Sequence, residues 1–207
     1  MVKTKLDEIL DRLRITQQEL EAEIERLLKD RRELFHYSLR RGKVVFERNI
    51  RRLQRQQRAG LWNYLRKAPI AHILSSPVIY SLIVPLLLLD ISITIYQHIC
   101  FRIYAIPLVN RSQHIVIDRH RLPYLNAIES LNCVYCGYGN GLIAYTREVI
   151  ARTEQYWCPI KHAQRRKDEH ARTLMFVDYG DLEDWRNNFK KIRHDWSNSN
   201  DESQKDV

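Results

Sequence analysis

Three cysteines and one histidine hold the densest chemistry in this chain of 207 residues. Cys133 and Cys136 form a C-x2-C pair, Cys158 and His162 form a C-x3-H pair, and the full spacing is C-x2-C-x21-C-x3-H. Two thiolates three residues apart can reach one ion from a turn, and a second pair about one helical turn apart can complete a tetrahedron. Zinc fits such a donor set first, with Zn–S near ~2.3 Å and Zn–N near ~2.0 Å. An iron–sulfur cluster is the alternative, since Cys158 precedes Pro159 as in ferredoxin ligand runs, although only three thiols are local and Cys100 lies in an apolar stretch. With all four positions filled by protein, the metal is structural and leaves no open position for catalysis. The same residues also read as a Cys133–Cys136 redox pair, a disulfide through Cys158, or plain buried thiols.

A second constellation, His114, Asp118 and His120, has the parity of one strand face. It could ligate iron or move protons, although a strand end with solvated charges explains it as simply. The chain has no G-x-S-x-G, no phosphate loop and no dinucleotide fingerprint. The elements expected to position these residues are a short strand over Gln113–Asp118, a tight turn through Gly137, Gly139 and Gly141, and a helix over Leu142–Tyr156. That helix should bury Ile143, Val149, Ile150 and Thr153, and it must fold back for the two ligand pairs to meet.

The stretch that divides the chain runs from Ala68 to Val109. Between Ala68 and Phe101 the only formal charge is Asp90, and so long an uncharged run is a candidate membrane span. Two registers compete. Val78–Ile99 puts Asp90 near the bilayer centre, whereas Ile70–Leu89 puts it at the far interface and is the cheaper choice. The cheaper register leaves Ile91–Leu108 as an amphipathic helix that lies in the interface or returns against the first as a hairpin. Asp90, His98 and Arg102 follow i, i+8, i+12 spacing and could share a stripe. Pro77 and Pro85 would kink the span without forbidding it.

Before this stretch the chain is basic and heptad-patterned. Residues 1–68 carry 18 Lys/Arg against 10 Asp/Glu, most of the net charge of +9. Leu6, Leu13, Leu20, Leu27 and Leu34 recur every seven residues, with Leu10, Gln17, Ile24 and Arg31 at the other seam position, the pattern of a coiled coil. Residues 40–67 then hold ten Lys/Arg and one acid, Glu47. With Trp62 and Tyr64 next to the apolar run, they read as a basic amphipathic helix on anionic headgroups. Nucleic acid would use the same arginines, but the position beside the apolar run disfavours it. The first residues lack the apolar core of a signal peptide. The acidic run Phe176–Trp185 should precede a short helix, and residues 197–207 are expected to be disordered.

The run CVYCGYGNGLIAYTREVIARTEQYWCPIKHA, preceded by IVIDRHRLPYLNAIESLN, resembles a signature of uncharacterised bacterial membrane-associated proteins. The resemblance covers roughly residues 91–180. It implies a bacterial cell-membrane protein and brings no activity with it.

The expected fold is therefore mainly α, in five segments. A coiled-coil helix (1–39) leads into a basic juxtamembrane helix (40–67) and a membrane anchor (68–109), as one span or a helical hairpin. A small helical Cys/His domain (110–196) and a tail (197–207) follow. The expected job is a scaffold or regulator at the bacterial inner membrane, N-terminus cytoplasmic, with lipid and a second copy or coiled-coil chain as partners. The alternatives are a membrane-bound redox or metalloenzyme using Cys133, Cys136 and Cys158, or a nucleic-acid tether through 40–67.

Overall fold

A computed structural model describes residues 5–40, 43–164 and 166–196, and residues 197–207 lie outside them. The chain is mainly helical and divides into two units. The first comprises residues up to Leu61 together with Arg121–Asn126; the second comprises Trp62–His120 and the chain from Ala127 on.

The first unit begins with α1, Lys5–Leu34, a single helix of 30 residues. Leu13, Leu20, Ile24, Leu27 and Leu34 are all exposed along it. A short antiparallel hairpin follows, β1 (Tyr37–Arg40) and β2 (Lys43–Phe46), with Tyr37 opposite Phe46. Residues 43–46 are therefore extended, and the basic region continues as two short helices, α2 (Arg48–Gln56) and, where the second unit begins, α3 (Leu61–Lys67). The single basic helix expected over 40–67 is not formed. Val44, Val45 and Phe46 favour a strand, and Arg58–Gly60 separate the helices.

In the second unit the apolar run forms α4 (Ile70–Ser81) and α5 (Ile83–Tyr96), continued by a π turn over Gln97–Phe101. Together they make one helix of 32 residues, long and apolar enough to cross a membrane. Pro85 lacks an N–H to return to Ser81, which accounts for the break at Leu82. Pro77 likewise leaves the Ile73 carbonyl without its helical donor, and the Ser76 hydroxyl takes its place at 2.8 Å. No break occurs at Asp90, so the hairpin alternative is not formed. The helix ends only where Ala105 adopts φ 54° ahead of Pro107.

The chain then returns beside the helix it has just left. This segment holds one helical turn, α6 (Arg111–His114), is irregular from Ile115 to Asp118, and ends in a 3-10 turn over Arg119–Arg121. The strand expected over Gln113–Asp118 is absent, because His114 closes α6 and Asp118 lies in a loop. His114, Asp118 and His120 therefore share no strand face.

Next comes α7, Ala127–Trp157, an unbroken helix of 31 residues. Gly137, Gly139 and Gly141 sit inside it and make no turn. α7 runs parallel to α4 and α5. Tyr80 donates to Asn132, Tyr135 donates to the Ile79 carbonyl, and Tyr96 meets Thr153 at 3.0 Å. The Tyr104 and Tyr156 rings lie 5.2 Å apart at the far end. Phe101, Ile106, Val109, Leu142, Tyr145 and Val149 form the core between these layers. Val149 is buried as expected, but Ile143 and Ile150 are each 53% exposed. The closing helix, α8 (Leu182–His194), is capped by Asp181, whose carboxylate accepts from the Asp184 N–H. The acidic run thus begins a helix, with Glu183 and Asp184 in its favourable first turn.

Candidate functional site

The glycines explain how closely the layers pack. A Cβ at Gly141 would lie 2.7 Å from the His114 carbonyl oxygen and 2.8 Å from the Ile115 Cα. At Gly137 the nearest atom is the Val116 carbonyl oxygen, 3.4 Å away. The i, i+4 pair of small residues opens a groove in which the returning backbone rests on α7. Gly139 points instead toward α5, 3.5 Å from the Leu86 side chain.

That seating brings Arg111 to Asp90. Its Nε and Nη2 donate to the two carboxylate oxygens at 3.2 and 2.6 Å, a bidentate pair. The Tyr138 hydroxyl donates to Asp90 Oδ2 at 2.9 Å, and Thr94 adds a longer contact of 3.4 Å. Burial and the Asp90 carboxylate push the Tyr138 hydroxyl up to about 12, so it remains a donor. Four donors from three segments use the carboxylate fully, and the arrangement works as a staple. His98 turns instead to the Thr94 carbonyl at 2.8 Å, and the expected Asp90–His98–Arg102 stripe contributes no pair to it.

A second polar network lies nearer the C-terminal end of α7. Glu148 Oε1 accepts from Arg152 Nε at 2.9 Å and from Arg172 Nε and Nη2 at 3.1 and 2.7 Å. Arg152 also donates to the Pro107 and Leu108 carbonyls. Arg172 Nη1 reaches Gln155 Oε1 at 2.9 Å, and Gln155 Nε2 donates to the Ile192 and Asp195 carbonyls. One carboxylate and two guanidiniums thus tie α7 to the Pro107 turn, to the 3-10 turn Ala171–Met175 and to the end of α8. Sequence reading missed this network. Its one visible sign was the Glu148–Arg152 i, i+4 pair.

Burial raises the Glu148 carboxyl, but the two guanidiniums outweigh it and leave the group below the ordinary glutamate range. A carboxyl depressed in the folded state stabilises above its unfolded pKa, and that contribution is lost as pH falls through the folded value. The thermal midpoint should therefore hold steady near neutrality and drop below about pH 4.3, the ordinary glutamate value. Glu148→Gln should lower the neutral midpoint and flatten this acid limb, as read by thermal unfolding from pH 3 to 7.

The four expected metal ligands are not brought together. Cys133 and Cys136 lie within α7, and Cys158 follows its last residue. The 22 steps from Cys136 to Cys158 place them about 33 Å apart along the helix axis. The helix that was to fold back continues through the glycines, so Cys133 and Cys136 are not brought to Cys158 and His162. Among the described residues, no group of three or more His, Cys, Asp or Glu side chains could hold a metal ion. All four cysteines are free. Burial and the Glu154 carboxylate push the Cys158 thiol up, away from thiolate character.

The fold and its staples define a mainly helical protein built on a parallel helix pair, one member of which is long and apolar enough to cross a membrane. No family profile, curated protein or solved structure matches the chain.

Proposed function

We propose that this protein is a membrane-associated scaffold, held at lipid by helix 70–101 and linked to a partner chain through α1. The observation that carries it is the outer face of helix 70–101, where Ile70, Leu74, Val78, Leu88 and Ile95 are each more than half exposed. Water does not tolerate a contiguous apolar surface of that length without a partner. Leu13, Leu20, Leu27 and Leu34 of α1 are similarly open, which supports a coiled coil with a second chain. Ten basic residues against one acid in 40–67 favour the cytoplasmic face. The signature in residues 91–180 favours a bacterial inner membrane.

Neither polar cluster offers the open position that a catalytic reading needs. Both Asp90 oxygens, and Glu148 Oε1, are taken up by protein donors. After lysis without detergent, the full chain should sediment with the membranes and enter solution on addition of detergent. Recovery in the high-speed supernatant would remove this reading.

A further inference from the structure

Membrane association can mean crossing the bilayer or lying along it, and the geometry around helix 70–101 distinguishes the two. We infer that this helix lies in the plane of an anionic lipid surface, with its outer stripe sunk among the acyl chains, and does not cross. The inference rests on the association proposed above.

From Ile83 on the helix has two sides: Val84, Leu88, Ile91, Ile95 and Ile99 face outward, while Leu86, Asp90, Ile93, Gln97 and Phe101 turn inward, half-buried or buried. Over 70–82 nearly every side is exposed, Ile70, Leu74 and Val78 the most among the large apolar residues. Ser81 and Ser92 lie on the outer side, and their hydroxyls donate to the Val78 and Leu88 carbonyls at 2.7 Å each. Their polar atoms are thus satisfied within the helix, as an apolar medium requires.

The returning segment decides the orientation. Val109 exchanges hydrogen bonds with Gln97, Arg111 pairs with Asp90, and Val116 packs at Gly137. The His120 carbonyl accepts from Ser130, near the level at which Asn132 meets Tyr80. From Gln97 back to Tyr80 the helix rises 17 steps, about 26 Å. That is close to the whole ~30 Å hydrocarbon core of a bilayer. A crossing helix would carry this irregular chain through the same depth. Its Arg111 side chain is 47% exposed, and Ser112, Gln113 and Arg119 are exposed as well. Irregular, charged backbone facing lipid is what the bilayer interior excludes. Lying flat removes the conflict, because the stripe meets lipid while the returning segment on the inner side stays in water. Arg66 and Lys67, immediately before the helix, and the exposed Trp62 suit an anionic headgroup layer.

The test is a depth profile. Spin labels are placed singly at Leu74→Cys, Leu88→Cys and Ile99→Cys in the full chain with its native cysteines changed to Ser. The protein is added to vesicles of phosphatidylcholine and phosphatidylglycerol, and each label's exposure to oxygen and to a nickel chelate is measured. The expected result is one shared depth of about 5–10 Å. A deep label at 88 with shallow labels at 74 and 99, on opposite leaflets, would show a crossing helix and overturn the inference while leaving membrane association intact. Failure to bind vesicles, with the labels water-exposed or coupled in a dimer, would overturn both and give the stripe to a second copy.

If the cysteine-free chain does not fold, the natural chain serves. Protease added outside the vesicles should leave no lumenal fragment protected, and a protected fragment would overturn the in-plane mode. Leu88→Asp with Ile95→Asp should lower vesicle affinity about tenfold or more. Unchanged affinity would remove the stripe from the contact.

Discussion

Gly141→Ala should lower the thermal midpoint and Gly139→Ala should raise it, although the two glycines are two residues apart on the same helix. Replacing a helix-interior glycine with alanine stabilises by about 1 kcal/mol through propensity alone. At Gly139 nothing opposes that gain. The nearest atom to a new Cβ is Leu86 Cδ1 at 3.5 Å, ordinary contact. At Gly141 the same methyl meets two backbone atoms at 2.7 and 2.8 Å. Neither can rotate away, so the segment at His114 and Ile115 must lift off α7. Overpacking of this kind costs about 1–3 kcal/mol, and here the moved backbone also carries the Arg111–Asp90 pair. Gly141→Val should then uncouple the returning segment from α7 altogether. At about 2–4 °C per kcal/mol for a chain of this size, the expected pattern is a small rise for Gly139→Ala, a fall for Gly141→Ala and loss of cooperative unfolding for Gly141→Val. Thermal unfolding followed by far-ultraviolet circular dichroism reads all three. Equal rises at both alanine variants would mean that the segment does not sit on α7.

Arg172→Ala should be the most damaging truncation outside the glycines. The Arg172 side chain is 6% exposed and serves Glu148 and Gln155 while its guanidinium lies 5.7 Å from the Trp196 ring. Alanine leaves the fully buried Gln155 with an acceptor oxygen unpaired and leaves Glu148 with Arg152 alone. Breaking a buried charged pair from one side costs about 3–5 kcal/mol. Glu148 keeps its second partner, so about 3 kcal/mol is expected. Arg172→Lys should recover only part, because an ammonium cannot fork between two acceptors. The region affected is the seat of α8. Limited proteolysis should cut α8 early in Arg172→Ala, while the Tyr80–Asn132 end of the helix pair keeps its protection.

The helices were legible in the sequence where pattern alone creates them. The apolar run marks an anchor over 68–109, although the preferred span stops at Leu89 where the helix runs on to Phe101, and the heptad leucines mark α1, Lys5–Leu34. What failed was punctuation. Gly137, Gly139 and Gly141 looked like a turn because glycine weakens a helix, yet here packing overrides propensity. The segment His114–Val116 needs that space, so the glycines mark a groove within α7. The i, i+4 spacing of Gly137 and Gly141 was a readable sign of close backbone approach. The same turn underlies the expected metal site, since Cys133 and Cys136 can approach Cys158 only if the chain turns at the glycines. Spacing alone lets Asp90, His98 and Arg102 share a stripe, or leaves Arg102 to snorkel and His98 to face water. The true partner of Asp90, Arg111, lies beyond the Ala105 reversal, and local periodicity carries no information about such a contact.

Because α7 runs parallel to the apolar helix, each contact between them joins residues about fifty positions apart, such as Tyr80 with Asn132. On a ribosome adding about 5–20 residues per second, the greasy helix emerges several seconds before the surface that will cover its inner side. For that interval both faces are bare, and a nascent chain in this state aggregates or is captured. Early delivery to lipid or to a chaperone is thus a requirement set by the order in which the sequence is made.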